Sequence, residues 1–215
     1  MADSGDHKKL PSTDLVARKQ ALARRLQALE TRSQSPARPR AGRQRASRTA
    51  FLLIDCSSSM RGEKLTEAKS GAMGFAREAK GYRVGIIAFA THAHLVAEPL
   101  DDLAVLREKL DGLRASGSTH LVEAINLAAE QFASPCMRGA VVVVTDGMPD
   151  HVGAALKAAQ KLKDRGVEVI TIGTGDADVD FLKKLASRPR LAVPVAEKQL
   201  ASGIVSAARL LPGRR

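Results

Sequence analysis

From Thr49 onwards, short apolar runs typical of β-strands alternate with segments whose apolar residues recur at helical spacing. This alternation limits the possible folds more than any other feature of the chain. The strand-like runs cover about 49–55, 82–89, 92–98, 139–145, 167–172 and 191–195. The helical patterns cover about 63–80, 102–113, 120–133, 151–165, 178–187 and 197–211. Strands and helices that alternate in this way form a parallel sheet with helices on both faces and right-handed crossovers.

One connection breaks the parallel pattern. The second and third runs are separated only by Ala90 and Thr91, which is too short for a crossover, so these two strands must form a hairpin. The chain is 44% hydrophobic but only 3% aromatic, a composition suited to buried parallel strands. We therefore predict an α/β fold, a doubly wound, mostly parallel six-stranded sheet of Rossmann-like type with one antiparallel edge strand and helices on both faces.

The positive charge of the chain is concentrated near its N-terminus. Residues 1–50 carry 12 basic and 4 acidic residues, whereas residues 51–215 carry 22 and 19. We predict four parts: an N-terminal basic helix (1–32), a flexible Arg/Pro/Ser-rich linker (33–48), a folded domain (49–211) and a basic tail (212–215). The N-terminal helix has a narrow apolar stripe that could dock on a partner or on the domain itself, formed by Leu15, Leu22, Leu26 and Leu29.

The cysteine content and hydropathy indicate a compartment. Cys56 and Cys136 lie far apart and have neither metal-ligand nor redox spacing, which favours a reducing environment. The N-terminus has no apolar signal region, and no segment approaches the ~18 uninterrupted apolar residues that a membrane span needs. We therefore expect a cytoplasmic protein without membrane contact.

Oxygen-bearing side chains follow the predicted strands where a ligand site is expected. In open α/β sheets, ligands bind at the carboxyl ends of the central strands. The stretch FLLIDCSSSMRG places Asp55, Ser57 and Ser59 at alternate positions in a loop that leaves the first strand. Thr119 precedes the helix at 120–133, and Asp146 follows the strand at 139–145. Carboxylates and hydroxyls without His or thiolate suit a hard cation, Mg²⁺ first, with Mn²⁺ and Ca²⁺ as alternatives.

These three segments resemble a von Willebrand factor type A (VWA) domain. Its metal-ion-dependent adhesion site (MIDAS) has the pattern D-x-S-x-S, then a distant Thr and a distant Asp, matched here by DCSSS, SGSTH and VVTDGMPD over about residues 49–211. The resemblance implies that Ser57, Ser59 and Thr119 ligate the metal directly or nearly so, and that Asp55 and Asp146 act directly or through water. It also implies a central first strand, an outermost hairpin strand and an inward-packed Cys56.

The same resemblance implies a binding role rather than a catalytic one. An Asp or Glu of a protein partner would complete the metal. Intracellular members often serve multiprotein machines driven by AAA+ ATPases of the MoxR or magnesium-chelatase type. We therefore predict a non-enzymatic, metal-dependent protein-binding module, and an AAA+ ATPase is one candidate partner. The alternative is a nucleic-acid-associated protein tethered by residues 1–48, although no aromatic residue is interleaved there for base stacking.

Each site residue also has an ordinary structural interpretation. Asp146 with Gly147 could form a turn, and Thr119 could cap the helix that follows. Asp150 is predicted to cap the helix at 151–165, and Ser58 to be a loop residue without a ligand role.

Enzymatic alternatives lack their motifs. The sequence contains neither G-x-G-x-x-G after the first strand nor G-x-x-x-x-G-K-[ST]. A haloacid-dehalogenase-type phosphatase needs a second acid where this chain has Ser57, and Ser57 has no identifiable His base.

Overall fold

The structure, a computed structural model, describes residues 48–100, 102–132, 139–175 and 177–213. The chain divides into two units between residues 45 and 46, and all described residues belong to the second. The predicted N-terminal helix at 1–32 and almost all of the linker at 33–48 therefore lie outside the described residues. The nucleic-acid hypothesis, which depends on those segments, stays a prediction.

The strands form one six-stranded sheet in the order β3-β2-β1-β4-β5-β6. They are β1 (Arg48–Asp55), β2 (Tyr82–Phe89), β3 (Ala93–Leu100), β4 (Gly139–Thr145), β5 (Glu168–Thr174) and β6 (Ala192–Val195). Every neighbouring pair is parallel except β2 and β3. The predicted fold is confirmed, including the internal first strand and the antiparallel hairpin strand at the edge.

The edge strand β3 differs from the central strands in burial and in pairing. It is only partly buried, and its register against β2 shifts between Val84 and Ile87. Pro99 lies in β3 opposite this irregular segment and has no N–H to donate to the ladder. A proline is tolerated there because an edge strand needs hydrogen bonds on one side only.

Helices cover both faces of the sheet. They are α1 (Glu63–Glu78), α2 (Leu103–Asp111), α3 (Leu121–Gln131), α4 (Val152–Asp164), α5 (Val179–Leu185) and α6 (Leu200–Ala207). Along β1, Leu52 and Ile54 face the core layer shared with α1, α2 and α6, whereas Phe51 and Leu53 face the layer shared with α3, α4 and α5. This alternation follows from the two-residue period of a strand, and it explains why β1 is apolar throughout.

Helices α1 and α6 approach each other closely because α1 has glycines at the contact. A Cβ atom on Gly71 would lie 2.8 Å from Ile204 Cδ1 and 2.9 Å from Ala201 Cα. A backbone N–H in the first turn of α6, that of Ala201, also donates to Glu67 Oε2 at 3.2 Å. Packing and hydrogen bonding therefore attach α6 to the middle of α1.

The last predicted helix, at 197–211, is shorter than expected. Helix α6 lies between two 3₁₀ turns, Glu197–Gln199 and Ala208–Leu210. Tighter i to i+3 bonds, such as Gln199 N–H to the Ala196 carbonyl at 2.8 Å, satisfy backbone groups that a single helix would leave free at its ends. In the described part of the chain, no helix is long and apolar enough to cross a membrane.

The two ends of the described domain meet at the amino-terminal edge of the sheet. The Arg48 guanidinium, at the start of β1, donates to the Pro212 carbonyl at 2.8 Å. The Tyr82 hydroxyl, at the start of β2, donates to the same carbonyl at 2.6 Å. Arg48, predicted to be the last linker residue, and Pro212, predicted to begin the tail, are thus both bound to the folded domain.

Candidate metal centre

The loop after β1 is organised around the buried carboxylate of Asp55. Ser57 N–H donates to Asp55 Oδ1 at 2.8 Å, and Thr145 Oγ1 donates to Asp55 Oδ2 at 2.7 Å. Thr145 can reach Asp55 because β1 and β4 are paired neighbours, with Ile54 opposite Val144. Asp55 is therefore positioned by both of its oxygen atoms, and it fixes the direction in which the serine loop leaves the strand.

Two serines and Asp146 continue this network towards the surface. Ser57 Oγ lies 2.9 Å from Ser59 Oγ, and Ser59 Oγ donates to Asp146 Oδ1 at 2.7 Å. Asp55, Ser57 and Asp146 are buried, whereas Ser59 is exposed. The structure thus brings four of the five predicted ligands into one hydrogen-bonded chain.

The fifth predicted ligand, Thr119, lies on the adjoining segment. Ser58 N–H donates to the Gly117 carbonyl at 3.0 Å, which joins the Thr119 segment to the serine loop. Asp150 N–H donates to the Thr119 carbonyl at 3.3 Å, which joins it to the loop after β4. Gly117 has φ +82°, a conformation suited to glycine, and this allows the tight turn before Thr119. Among the described residues, the Thr119 hydroxyl makes no hydrogen bond to the other four groups.

Lys64, which the sequence reasoning did not identify, is a cationic member of the cluster. Its Nζ lies 2.7 Å from Asp146 Oδ2 and 3.2 Å from Glu197 Oε1. The hydrogen bond to Asp146 raises the pKa of the Lys64 ammonium, and Glu197 raises it further against the effect of burial. The two partners are 82 and 133 positions away in sequence, so no local motif could have indicated this contact.

Burial dominates the electrostatics of the first loop. It raises the pKa of Asp55 above its ordinary value, the nearby charge of Asp146 raises it further, and hydrogen bonds from Ser57 and Thr145 oppose the shift. Burial also raises the pKa of Cys56 to about 12. Cys56 packs in the core, as the resemblance implied, and its thiol is not poised for nucleophilic chemistry.

The loop after β4 corrects two local interpretations. Asp150 does not cap the following helix, because His151 is the N-cap residue of α4 and makes no side-chain capping bond. The Asp150 carboxylate instead lies 2.9 Å from His120 Nε2, while His120 Nδ1 lies 2.6 Å from the Thr91 carbonyl oxygen. Thr119 is not the cap of α3 either, since that position is held by His120.

The donor set is suited to a small, hard cation. In the described residues, no group of three or more His, Cys, Asp and Glu side chains could hold a metal, so a site here must include the serine hydroxyls. An octahedral ion with metal–oxygen bonds of 2.0–2.1 Å has adjacent ligand oxygens about 2.9 Å apart. The Ser57–Ser59 and Ser59–Asp146 oxygen pairs, 2.9 and 2.7 Å apart, are close to that spacing. A cation, the Lys64 ammonium, already contacts Asp146.

A cleft of about 700 Å³ opens beside this cluster, and Lys64 forms part of its wall. The residues that line it are Gly62, Glu63, Lys64, Thr66, Glu67, Glu197 and Lys198. On the loop after β4, the Met148 side chain is 44% exposed, which is unusual for a large apolar side chain in this domain. The carboxyl edge of the sheet thus combines oxygen-bearing side chains, a cleft and an exposed apolar residue.

The fold is an open α/β domain with an oxygen-rich cluster of side chains at the carboxyl edge of its sheet. The family model of the von Willebrand factor type A domain matches residues 51–205, and the chain belongs to that family.

Curated proteins are similar to part of this chain. A UPF0353 protein of Mycobacterium tuberculosis is 31% identical over 148 residues, which cover 58% of this chain and 44% of that protein. The chain thus spans less than half the length of this curated relative.

Solved structures show the same fold at low sequence identity. The vWF domain of the type V pili tip protein Mfa5 from Porphyromonas gingivalis has a TM-score of 0.68 at 14% identity, covering 77% of this chain and 95% of that one. Proximal thread matrix protein 1 from the mussel byssus, in a form with a zinc-occupied MIDAS motif, has a TM-score of 0.64 at 18% identity, covering 76% and 46%.

Proposed function

We propose that this chain is a metal-dependent protein-binding module. Asp55, Ser57, Ser59, Thr119 and Asp146 would hold a divalent cation, and an Asp or Glu of a partner protein would complete its coordination. The observation that carries the proposal is the continuous network from Asp55 through Ser57 and Ser59 to Asp146, with an ammonium on the outer oxygen of Asp146. Such an arrangement gathers two carboxylates and two hydroxyls at one point of the carboxyl edge of the sheet, where Ser59 is exposed.

The residues of the centre would have two roles, direct ligation and support of the ligands. Ser57, Ser59 and Asp146 would supply oxygens to the cation from the serine loop and the loop after β4. Asp55 is held by Ser57 and Thr145, so its role is to orient the serine loop and to add buried negative charge. When bound, the cation would supply an electrophilic coordination position for an incoming carboxylate.

Mg²⁺ is the proposed ion, with Mn²⁺ next. Mg²⁺ is usually held by one or two carboxylates and keeps several waters, whereas Ca²⁺ takes six to eight oxygen ligands, so a set of two carboxylates and three hydroxyls suits the smaller ion. Zinc occupies the MIDAS motif of the mussel byssus protein, which supports a divalent cation at the corresponding place here.

We propose a binding role without catalysis. Ser57 Oγ is paired with Ser59 Oγ and, in the described part of the chain, is not hydrogen-bonded to a histidine that could act as its base. The exposed Met148, two residues after Asp146, supports a protein-binding surface, since methionine is enriched at interfaces. From cysteine spacing and hydropathy we further propose a cytoplasmic setting. By family resemblance we propose an AAA+ ATPase of the MoxR or magnesium-chelatase type as one candidate partner.

Calorimetric titration of the full chain with Mg²⁺ and Mn²⁺ tests the proposal. We expect saturable binding that Ser59→Ala weakens at least about 10-fold, because this change removes a direct oxygen donor and the link between Ser57 and Asp146. Ser58→Ala is the matched control, since Ser58 is exposed and contributes only its backbone N–H to the Gly117 carbonyl. Thr119→Val should weaken binding as well.

Partner binding is tested by affinity capture in Mg²⁺ followed by elution with chelator. A specific partner should be released by the chelator, and it should lose binding when one of its own Asp or Glu residues is changed to Ala. Capture that is unchanged in chelator and in Ser59→Ala would contradict the metal bridge. Undetectable metal binding at millimolar concentrations would contradict the metal site itself.

A further inference from the structure

Lys64 holds the outer part of the candidate metal centre. Asp146 accepts two hydrogen bonds of 2.7 Å, from Ser59 Oγ to Oδ1 and from Lys64 Nζ to Oδ2, so each of its carboxylate oxygens has a partner. The Asp146 side chain is 1% exposed, whereas that of Lys64 is 21% exposed. The ammonium therefore neutralises a buried carboxylate that would otherwise be destabilising.

The ammonium has a second acceptor within reach. Glu197 Oε1 lies 3.2 Å from Lys64 Nζ, and the Glu197 side chain is 56% exposed. Glu197 opens the 3₁₀ turn Glu197–Gln199, which leads directly into α6. Lys64 thus lies between a buried acid of the candidate metal centre and an exposed acid outside it.

A divalent cation at this centre would compete with the Lys64 ammonium for Asp146. Two like charges at contact distance repel strongly, and the repulsion is greater where burial reduces solvent screening. A cation bound to Asp146 would therefore expel the ammonium from Oδ2. The displaced ammonium can pair with Glu197 without a change in the backbone, because the two groups are already in contact.

We propose that Lys64 is an internal counter-ion that occupies the metal centre before the metal does, and that Glu197 receives it when the metal binds. The inference rests on the proposed function and adds a regulatory device to the same centre. It means that metal affinity is set by a competition inside the protein and by the availability of Glu197. It also means that metal occupancy changes the ion pairing at the wall of the cleft beside the centre.

A set of charge variants tests the competition by calorimetric titration of the full chain with Mg²⁺ and Mn²⁺. Lys64→Gln should tighten binding about 10-fold or more, because it removes the competing charge. Lys198→Gln is the matched control, since Lys198 lines the same cleft and gives the same change in net charge. Its effect should be much smaller. Equal effects of Lys64→Gln and Lys198→Gln would overturn the inference.

The role of Glu197 is tested by a double-mutant cycle. Glu197→Gln should weaken metal binding about 3-fold when Lys64 is present, because the displaced ammonium loses its acceptor. In the Lys64→Gln background, the effect of Glu197→Gln on metal affinity should be smaller. An effect of the same size in both backgrounds would indicate long-range electrostatics alone and would overturn the inference.

Stability provides an independent measurement of the same device. Without metal, Lys64→Gln should lower the thermal unfolding midpoint, because Asp146 loses its counter-ion, while saturating metal should raise the midpoint more than in the wild type. A variant that binds metal no better and is equally stable without it would also overturn the inference. If neither the wild type nor Lys64→Gln binds Mg²⁺ or Mn²⁺, the proposed function fails instead.

Discussion

At the scale of single residues, Asp55 combines an unfavourable burial of its charge with its proposed role. Its carboxylate is buried at the end of β1, where burial raises its pKa above the ordinary value of 3.8. The folded state therefore holds the Asp55 proton more tightly than the unfolded chain does. Stability from this group is fully present below the unfolded pKa and decreases as the pH rises from about 3.8 through the folded pKa.

Asp55→Asn should accordingly stabilise the metal-free protein at neutral pH while abolishing metal binding. The difference in unfolding free energy between variant and wild type should grow with pH in this window, by at most about 1.4 kcal/mol per pH unit. Thermal unfolding in chelator at several pH values measures it. Asp102→Asn is the control, because Asp102 is an exposed cap of α2 and Asn caps equally well. A pH-independent difference would contradict the prediction.

The residues of the centre differ in how far sequence could predict them. Asp55, Ser57, Ser59 and Asp146 follow two strands whose pairing brings their carboxyl ends together, so their proximity was predictable. The position of Lys64 in the centre was not predictable, because its contact with Asp146 depends on how α1 packs against the sheet. Nor was Thr145, whose hydroxyl reaches Asp55 through the register of β1 and β4.

At the scale of secondary-structure elements, periodicity predicted the strands and most helices well. Long apolar runs identified β1 and β4, and the short connection between β2 and β3 identified the hairpin. The C-terminal helix was predicted too long, because apolar periodicity does not distinguish α-helix from the 3₁₀ turns that flank α6. The contact between α1 and α6 also depends on glycines, and a pattern of apolar residues gives no indication that a glycine lies at a helix contact.

Gly71→Ala should therefore destabilise the protein by about 1–3 kcal/mol, because the added methyl overpacks the contact with Ile204 and Ala201. Gly153→Ala is the matched control, since a Cβ atom on this glycine of α4 would meet nothing within 4 Å. That control should be neutral or stabilising by up to about 1 kcal/mol, as alanine is the better helix former. Urea unfolding of both variants measures the effect, and equal stabilities would show that α1 and α6 pack more loosely.

At the scale of the whole molecule, the N-terminal segment and the domain differ in net charge. The excess of basic residues lies in the first 50 positions, and the nucleic-acid hypothesis depends on them. If it holds, the full chain binds duplex DNA or RNA at low salt without sequence preference, and deletion of residues 1–47 removes this binding. The deletion should stop before Arg48, which belongs to β1 and donates to Pro212. Filter binding across salt concentrations is the measurement, and absence of binding by the full chain contradicts the hypothesis.

The contacts of Pro212 with Arg48 and Tyr82 have a practical consequence. They hold both ends of the described domain at the amino edge of the sheet, opposite the edge that carries Asp55 and Asp146. A carrier, fluorophore or solid support attached at either end would leave the opposite face free for a partner. The same closure makes the domain suitable for circular permutation, in which a short linker joins the two ends and the chain is opened at another exposed loop.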